Sequence, residues 1–140
     1  MSIIAINNAI LQKLNEMQTL KTVYNYESPN PTGEYPYATL VIGEAKGQFA
    51  TTAHNLRERY FTIRIRQEIM AEGQGDENSE QILIEVMDEM ETAFDRDTTL
   101  SGICKFVRPA TWTASYENNV HHMRLITINL EATEVLQVRP

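Results

Sequence analysis

An α+β fold is predicted: a mostly antiparallel sheet of about five strands with two main helices packed on it. Three observations carry that expectation. Two segments, one at the N-terminus and one following Asn78, space their apolar residues as a helix does. Between and after them lie runs rich in Thr, Val, Ile, Tyr and Phe, which suit strands. The strands come in hairpin-like runs rather than alternating one-for-one with helices, which disfavours a parallel sheet. The order is α-β-β-β-α-β-β. Residues 1–140 form one domain on this reading, because the length suits a single core and no repeat, linker or low-complexity tract divides the chain.

Ser2 is placed to cap a first helix that reaches about Met17. At 100° per residue, Ile3, Ile4, Ile6, Ile10, Leu11, Leu14 and Met17 fall in one broad stripe, with Asn8, Gln12 and Glu16 away from it. Leu20 to Tyr26 reads as a strand. Residues 27–34 hold Pro29, Pro31 and Gly33 and form a turn cluster. Pro36 marks the entry to a second strand, Tyr37–Ile42, whose continuous apolar end suits cover on both faces. Gly43 to Asn55, with two glycines and the lone aromatic Phe49, reads as a long loop available for contacts. The third strand, about Leu56 to Gln67, alternates clearly. Phe61, Ile63 and Ile65 point one way, and Tyr60, Thr62, Arg64 and Arg66 the other.

Residues 71–77 form a polar loop with two glycines, Gly73 and Gly75. Asn78 and Gln81 then have the spacing of a capping box. In the second helix Ile82, Leu83, Val86, Met87, Met90, Ala93 and Phe94 occupy about 140° of the circumference, leaving the rest to Glu85, Asp88, Glu91 and Asp95. Asp95 to Thr99 ends it. One more strand falls within Lys105–Tyr116, interrupted by Pro109. The last, about His122 to Ala132, carries Ile126, Ile128 and Leu130 on one face, and Glu117-Asn118-Asn119 turns between the two.

Twelve basic against nineteen acidic residues give a net charge of −7, which disfavours a free-standing nucleic-acid binder. No stretch is apolar for the roughly 20 residues of a membrane span, and the start does not read as a signal peptide. The single cysteine, Cys104, can neither close an internal disulfide nor build a zinc site. His121 and His122, as strand neighbours, point to opposite faces, so they do not chelate one ion easily. Glu85, Asp88, Glu89 and Glu91 read as a solvated helix face rather than a catalytic dyad. Gly73-Gln74-Gly75 lacks the length and the following lysine of a phosphate loop. No catalytic residue, cofactor or metal is therefore assigned. Arg57, Arg59, Arg64 and Arg66 concentrate positive charge in ten positions. Alternation splits them, with Arg57 and Arg59 on one face and Arg64 and Arg66 on the other, which argues against a continuous DNA track. Their candidate role, with Phe49 and the acidic Glu85, Asp88 and Glu91, is contact between subunits or with a partner protein, since arginine and carboxylate pair well. Tyr24, Tyr26, Tyr35 and Tyr37 suit an interface and a strand core equally.

Several segments together carry a resemblance. They are the helix ending in Leu-Asn-Glu-Met-Gln-Thr-Leu-Lys-Thr-Val-Tyr; Gly33-Glu34-Tyr35-Pro36-Tyr37-Ala38 leading into Thr-Leu-Val-Ile; Asn55 to Ile63; and Phe94 to Gly102. In this order and length the chain resembles the tail terminator (tail completion, or head–tail joining) proteins of long-tailed bacteriophages. The resemblance implies a homo-oligomeric ring, usually a hexamer, seated on the last ring of the tail tube protein. Such a ring stops tube growth and offers a surface to the head-completion or connector protein, with DNA passing through the lumen as cargo. It implies no cofactor, no catalysis and no membrane, and places the protein in the tail or neck of the virion after assembly in the host cytoplasm. Other readings are another neck component such as a head-closure or tube-like protein, an enzyme with Glu/Asp residues in a cleft, or a monomeric module binding a peptide at a sheet edge.

Overall fold

The computed structural model describes residues 3–26, 35–49, 54–68, 75–100, 102, 104, 106–118 and 122–137. The chain runs α1 (Ile3–Asn15), β1 (Thr22–Tyr24), β2 (Tyr37–Phe49), β3 (His54–Glu68), α2 (Gly75–Arg96), β4 (Phe106–Asn118) and β5 (His122–Gln137). This is the expected order of elements in an α+β domain. The five strands form one sheet in the order β1-β2-β3-β5-β4. β2, β3, β5 and β4 are joined by antiparallel ladders, whereas β1 lies parallel to β2, so the sheet is mixed. The twelve residues between β1 and β2 are enough for the crossover that a parallel pair requires.

Strand alternation sorts the sheet into two faces. Ala38 and Leu40 of β2, Phe61, Ile63 and Ile65 of β3, Ile126, Ile128, Leu130 and Ala132 of β5, and Val107 of β4 are buried on the face that both helices cover. α1 contributes Ile6, Ile10 and Leu14 at four-residue spacing, and α2 contributes Leu83, Val86, Met90 and Phe94. The predicted stripes are the buried ones with one exception. Ile4 is 69% exposed, because it sits about 120° around α1 from Ile10 and beyond the reach of the sheet.

Other expectations are corrected. Gly43 to Asn55 is not a long loop: β2 continues to Phe49 and β3 begins at His54, leaving only residues 50–53 between them, outside the described residues. A β-bulge lies between Ile42 and Ala45, where Gly43 and Glu44 face Tyr60 alone. Gly43 allows it, since a Cβ there would stand 3.2 Å from the Tyr60 carbonyl oxygen. Cover on both faces, expected for the continuous end of Tyr37–Ile42, holds for Thr39 and Leu40 but fails beyond them: Val41 is half-buried and Ile42 is 63% exposed, past the point where β1 stops pairing with β2. β1 is shorter than predicted, and Leu20 packs into the core ahead of it. α2 begins at Gly75, so Asn78 lies inside its first turns rather than capping it; the apolar pattern starts only at Ile82 and left the first two turns unmarked. β5 runs on to Gln137. The interruption predicted at Pro109 is a register shift between Pro109 and Thr111. The expected cap at Ser2, the 27–34 turn and most of the 71–77 loop fall outside the described residues, as does Asn119.

A compact connector returns the chain from α2 to the sheet. Leu100 donates to the Asp97 carbonyl, Gly102 and Cys104 to that of Thr99, and Val107 to that of Thr98. Leu100 has φ 50°, a left-handed conformation unusual for a branched side chain, and it is buried. Burial of the leucyl group therefore opposes a backbone cost of about 1–2 kcal/mol. Replacing Leu100 by alanine is expected to lose about 2–3 kcal/mol in urea unfolding. Leu100→Gly is expected to be no less stable than Leu100→Ala although it removes more surface, because glycine relieves the left-handed strain; a clear further loss on going to glycine would contradict this account.

Candidate functional site

No cleft carries a catalytic constellation among the described residues, and no three His, Cys, Asp or Glu side chains there gather as a metal site requires. Cys104 is buried, its Sγ 3.7 Å from the Thr99 carbonyl oxygen. His54 begins β3 and His122 begins β5, while His121 lies outside the described residues. No described helix is long and apolar enough to cross a membrane. Two described surfaces and two side-chain clusters are the features that gather charge.

The first surface is α2. Burying Leu83, Val86, Met90 and Phe94 turns Glu85, Asp88, Glu91 and Asp95 outward, and all four are exposed over three successive turns. Glu89 belongs elsewhere. It turns toward the segment joining α1 to β1, and its carboxylate accepts hydrogen bonds from the Thr19 hydroxyl at 2.7 Å, the Thr19 N–H at 3.1 Å and the Gln18 N–H at 3.3 Å. Partial burial raises its pKa, but these donors outweigh that effect and hold it below the ordinary 4.5. One further tie joins the helices. Lys13 Nζ reaches Asp97 Oδ2 at 3.1 Å and the Ala93 carbonyl at 3.3 Å, beside the Phe94 ring and near the negative end of α2. A shallow groove of about 560 Å³ runs past Thr19 and Glu89 to Glu85, Asp88 and Arg96.

The four arginines do not meet. β3 pairs with β5 without a break, so its alternation runs unchanged from His54 to Glu68. Arg57 and Arg59 share the helix-bearing side with Phe61; Arg59 stands opposite the core residue Ala132, and Arg57 one step further out, opposite Glu134. Arg64 and Arg66 lie on the opposite face. Arg66 is only 8% exposed, its guanidinium 5.9 Å from the centre of the Tyr37 ring, so it is held against its own chain. Arg64 is half-buried in a row with Thr39 and Thr127. The tyrosines, undecided from sequence, form a chain of ring contacts at 5.6–5.9 Å from Tyr35 to Tyr37, Tyr24 and Tyr26. It runs from the buried Tyr37 to the exposed Tyr26. Phe49 is the last residue of β2 and pairs with Asn55; its side chain lies outside the described residues.

Sequence reasoning missed two clusters. Glu89 was grouped with the acidic surface, although its position at the flank of the stripe was a signal. Arg124 falls on the same face as Ile126 and Ile128, an unusual place for a charge, and there it pairs with Glu80, donates to the Ser115 carbonyl at 2.9 Å and lies 4.4 Å from the Tyr116 ring centre. No protein-family model matches the chain, and no curated protein matches it.

The Glu89 contacts generate a pH dependence of known sign. A carboxylate whose pKa is lowered on folding stabilises the native state fully above its unfolded value and loses that contribution as the pH falls through the folded one. Acid titration of stability should therefore show a loss that sets in as the pH drops through 4.5. Glu89→Gln is expected to cost about 1 kcal/mol at neutral pH and to flatten this acid limb, measured by urea unfolding at a series of pH values.

Proposed function

We propose that the chain is a structural subunit of the neck of a long-tailed bacteriophage, of the tail-terminator kind. Copies assemble into a ring, a hexamer on the family resemblance. That ring caps the tail tube, ends its polymerisation and joins the tail to the head connector, with DNA passing through the lumen. The observation that carries this reading is the difference between the two outer layers of the subunit. One is an acidic helix surface of Glu85, Asp88, Glu91 and Asp95; the other is a sheet face bearing Arg64, Asn129 and several threonines at the level of the core.

A ring needs a heterologous interface, in which one patch of each subunit fits a different patch of the next. Two unlike faces on opposite sides of one thin domain supply such a pair, and a contact on the order of 1,200–2,000 Å² is within reach of a chain this size. The stretch of β2, β3 and β5 beyond Phe61 and Ala132, roughly 20 Å long at 3.3 Å per residue, offers reach toward a tube or connector protein. Arg57 lies on that stretch and Arg59 at its base, opposite Ala132, and they are the basic candidates for such a contact; Arg66 is a positioning residue for Tyr37. The same reach would serve a head-closure or tube-like neck protein. In all of these roles the protein works through surface fit, without a cofactor or catalysis.

Native mass measurement of the purified protein is expected to show a discrete ring of several subunits, and Glu85→Lys with Asp88→Lys is expected to shift it to monomers without unfolding it. Added to growing tubes of the cognate tail protein, the ring should fix their length. A monomer at high concentration, or tubes that lengthen regardless, would remove the terminator reading.

A further inference from the structure

The outer margin of the sheet on the β4 side has an unusual composition. β4 is last in the strand order, and among the described residues no strand lies beyond it. Natural edge strands are normally blunted by charge, proline or a bulge, because their free N–H and C=O groups accept further strands. Here the proline and the register shift sit at the start, at Pro109 and Thr111. Between there and Glu117, which stands just before the hairpin, the strand reads Thr111-Trp112-Thr113-Ala114-Ser115-Tyr116, six residues with no charge and no proline. Thr111, Thr113, Ala114 and Tyr116 are exposed.

α2 forms a wall along this edge. It runs opposite to β4: Glu80 near its start is tied through Arg124 to Tyr116, and Thr98 just past its end accepts the Val107 N–H. With rises of about 1.5 Å per helical and 3.3 Å per strand residue, Ile84 comes level with Ala114, and Glu91 with Thr111. Ile84 shares the flank of Glu80 one turn on, and it is 56% exposed although it is fully apolar. Trp112 and Met87, both packed on the core, close the inner side. Ala114, Ile84, Tyr116 and the exposed Glu91 thus lie along one strip between helix and edge strand, Tyr116 toward one end and Glu91 toward the other.

We propose that this strip of the sheet edge takes an extended segment of a partner protein as an added strand beside β4. The segment carries apolar residues at alternate positions, to pack on Ala114 and Ile84, and a lysine or arginine beside Glu91. The backbone ladder supplies affinity, and the apolar step with its charged end supplies specificity. A basic ligand fits because the flanking surface of α2 is acidic at Glu91 and Asp95. A second copy joined edge to edge fits less well, since it would bring two such acidic helices together. The inference does not depend on ring assembly.

An octapeptide library randomised at every position, panned on the immobilised full chain, tests it. Enrichment of alternating apolar residues with a terminal Lys or Arg is expected. The selected peptide, labelled with a fluorophore, should shift the amide resonances of residues 111–116 and of α2 on binding. Ala114→Lys should weaken that peptide by about ten-fold or more by obstructing the strip, and Glu91→Lys by about three-fold, while both variants keep the parent amide spectrum. No enrichment, selection of acidic or patternless peptides, binding unchanged in both variants, or concentration-dependent pairing of β4 between copies of the chain would each overturn the proposal.

Discussion

The alternation of β3 is the constraint on which the rest of the structure depends. β3 is central, bonded to β2 on one side and β5 on the other, and its fifteen residues keep an unbroken period of two. Phe61, Ile63 and Ile65 are thereby presented together to α1 and α2, and their neighbours on β2 and β5 follow by register. A slip of one residue would exchange the helix-bearing and open faces of the whole sheet. The near-total burial of this row, set against the threonines and arginines on the other side, holds the register in place.

With the sheet fixed, the helix layer needs only modest help. α1 is short and capped by little that is charged, so packing of Ile6, Ile10 and Leu14 supplies most of its stability. Two polar ties set its position against α2: Lys13 at the C-terminal end of α2, and Glu89 gathering the N–H groups that follow α1. These leave the outer side of α2 unencumbered. Its acidic residues Asp88 and Glu91 stay exposed there, and among the described residues Glu85 bonds only to Gln81 of the same helix at 3.4 Å.

What was legible in the sequence was whatever burial had made periodic. The stripe from Leu83 to Phe94 and the alternation of Phe61, Ile63 and Ile65 were readable because one side of each element is dry. The continuation of β2 to Phe49 was not, since the strands there pass beyond the last core residues, Leu40 and Phe61, and nothing enforces an apolar alternation. Gly43 and Gly47 then imitate a loop. The parallel direction of β1 leaves no trace in periodicity. Glu89 and Asp88 are indistinguishable by type, and only tertiary structure, which brings Thr19 to one of them, separates their roles. Arg124 is a charge in an apolar row, and it was missed because its anchor Glu80 comes from α2, 44 residues away in sequence, to meet it beside Tyr116 across the hairpin.

The bulge at Gly43 has a consequence for how such a protein diversifies. By spending one extra residue opposite Tyr60, β2 brings positions 45, 47 and 49 into phase with the odd-numbered positions of β3. Deletion of that single residue would leave one residue opposite Tyr60 and keep Ala45 opposite Arg59 and Gly47 opposite Arg57, so the pairing beyond the bulge and the packed interior would both stand. One codon therefore governs the local bend and twist of the hairpin rather than its register, and an insertion or deletion there could re-aim the tip without rebuilding the domain.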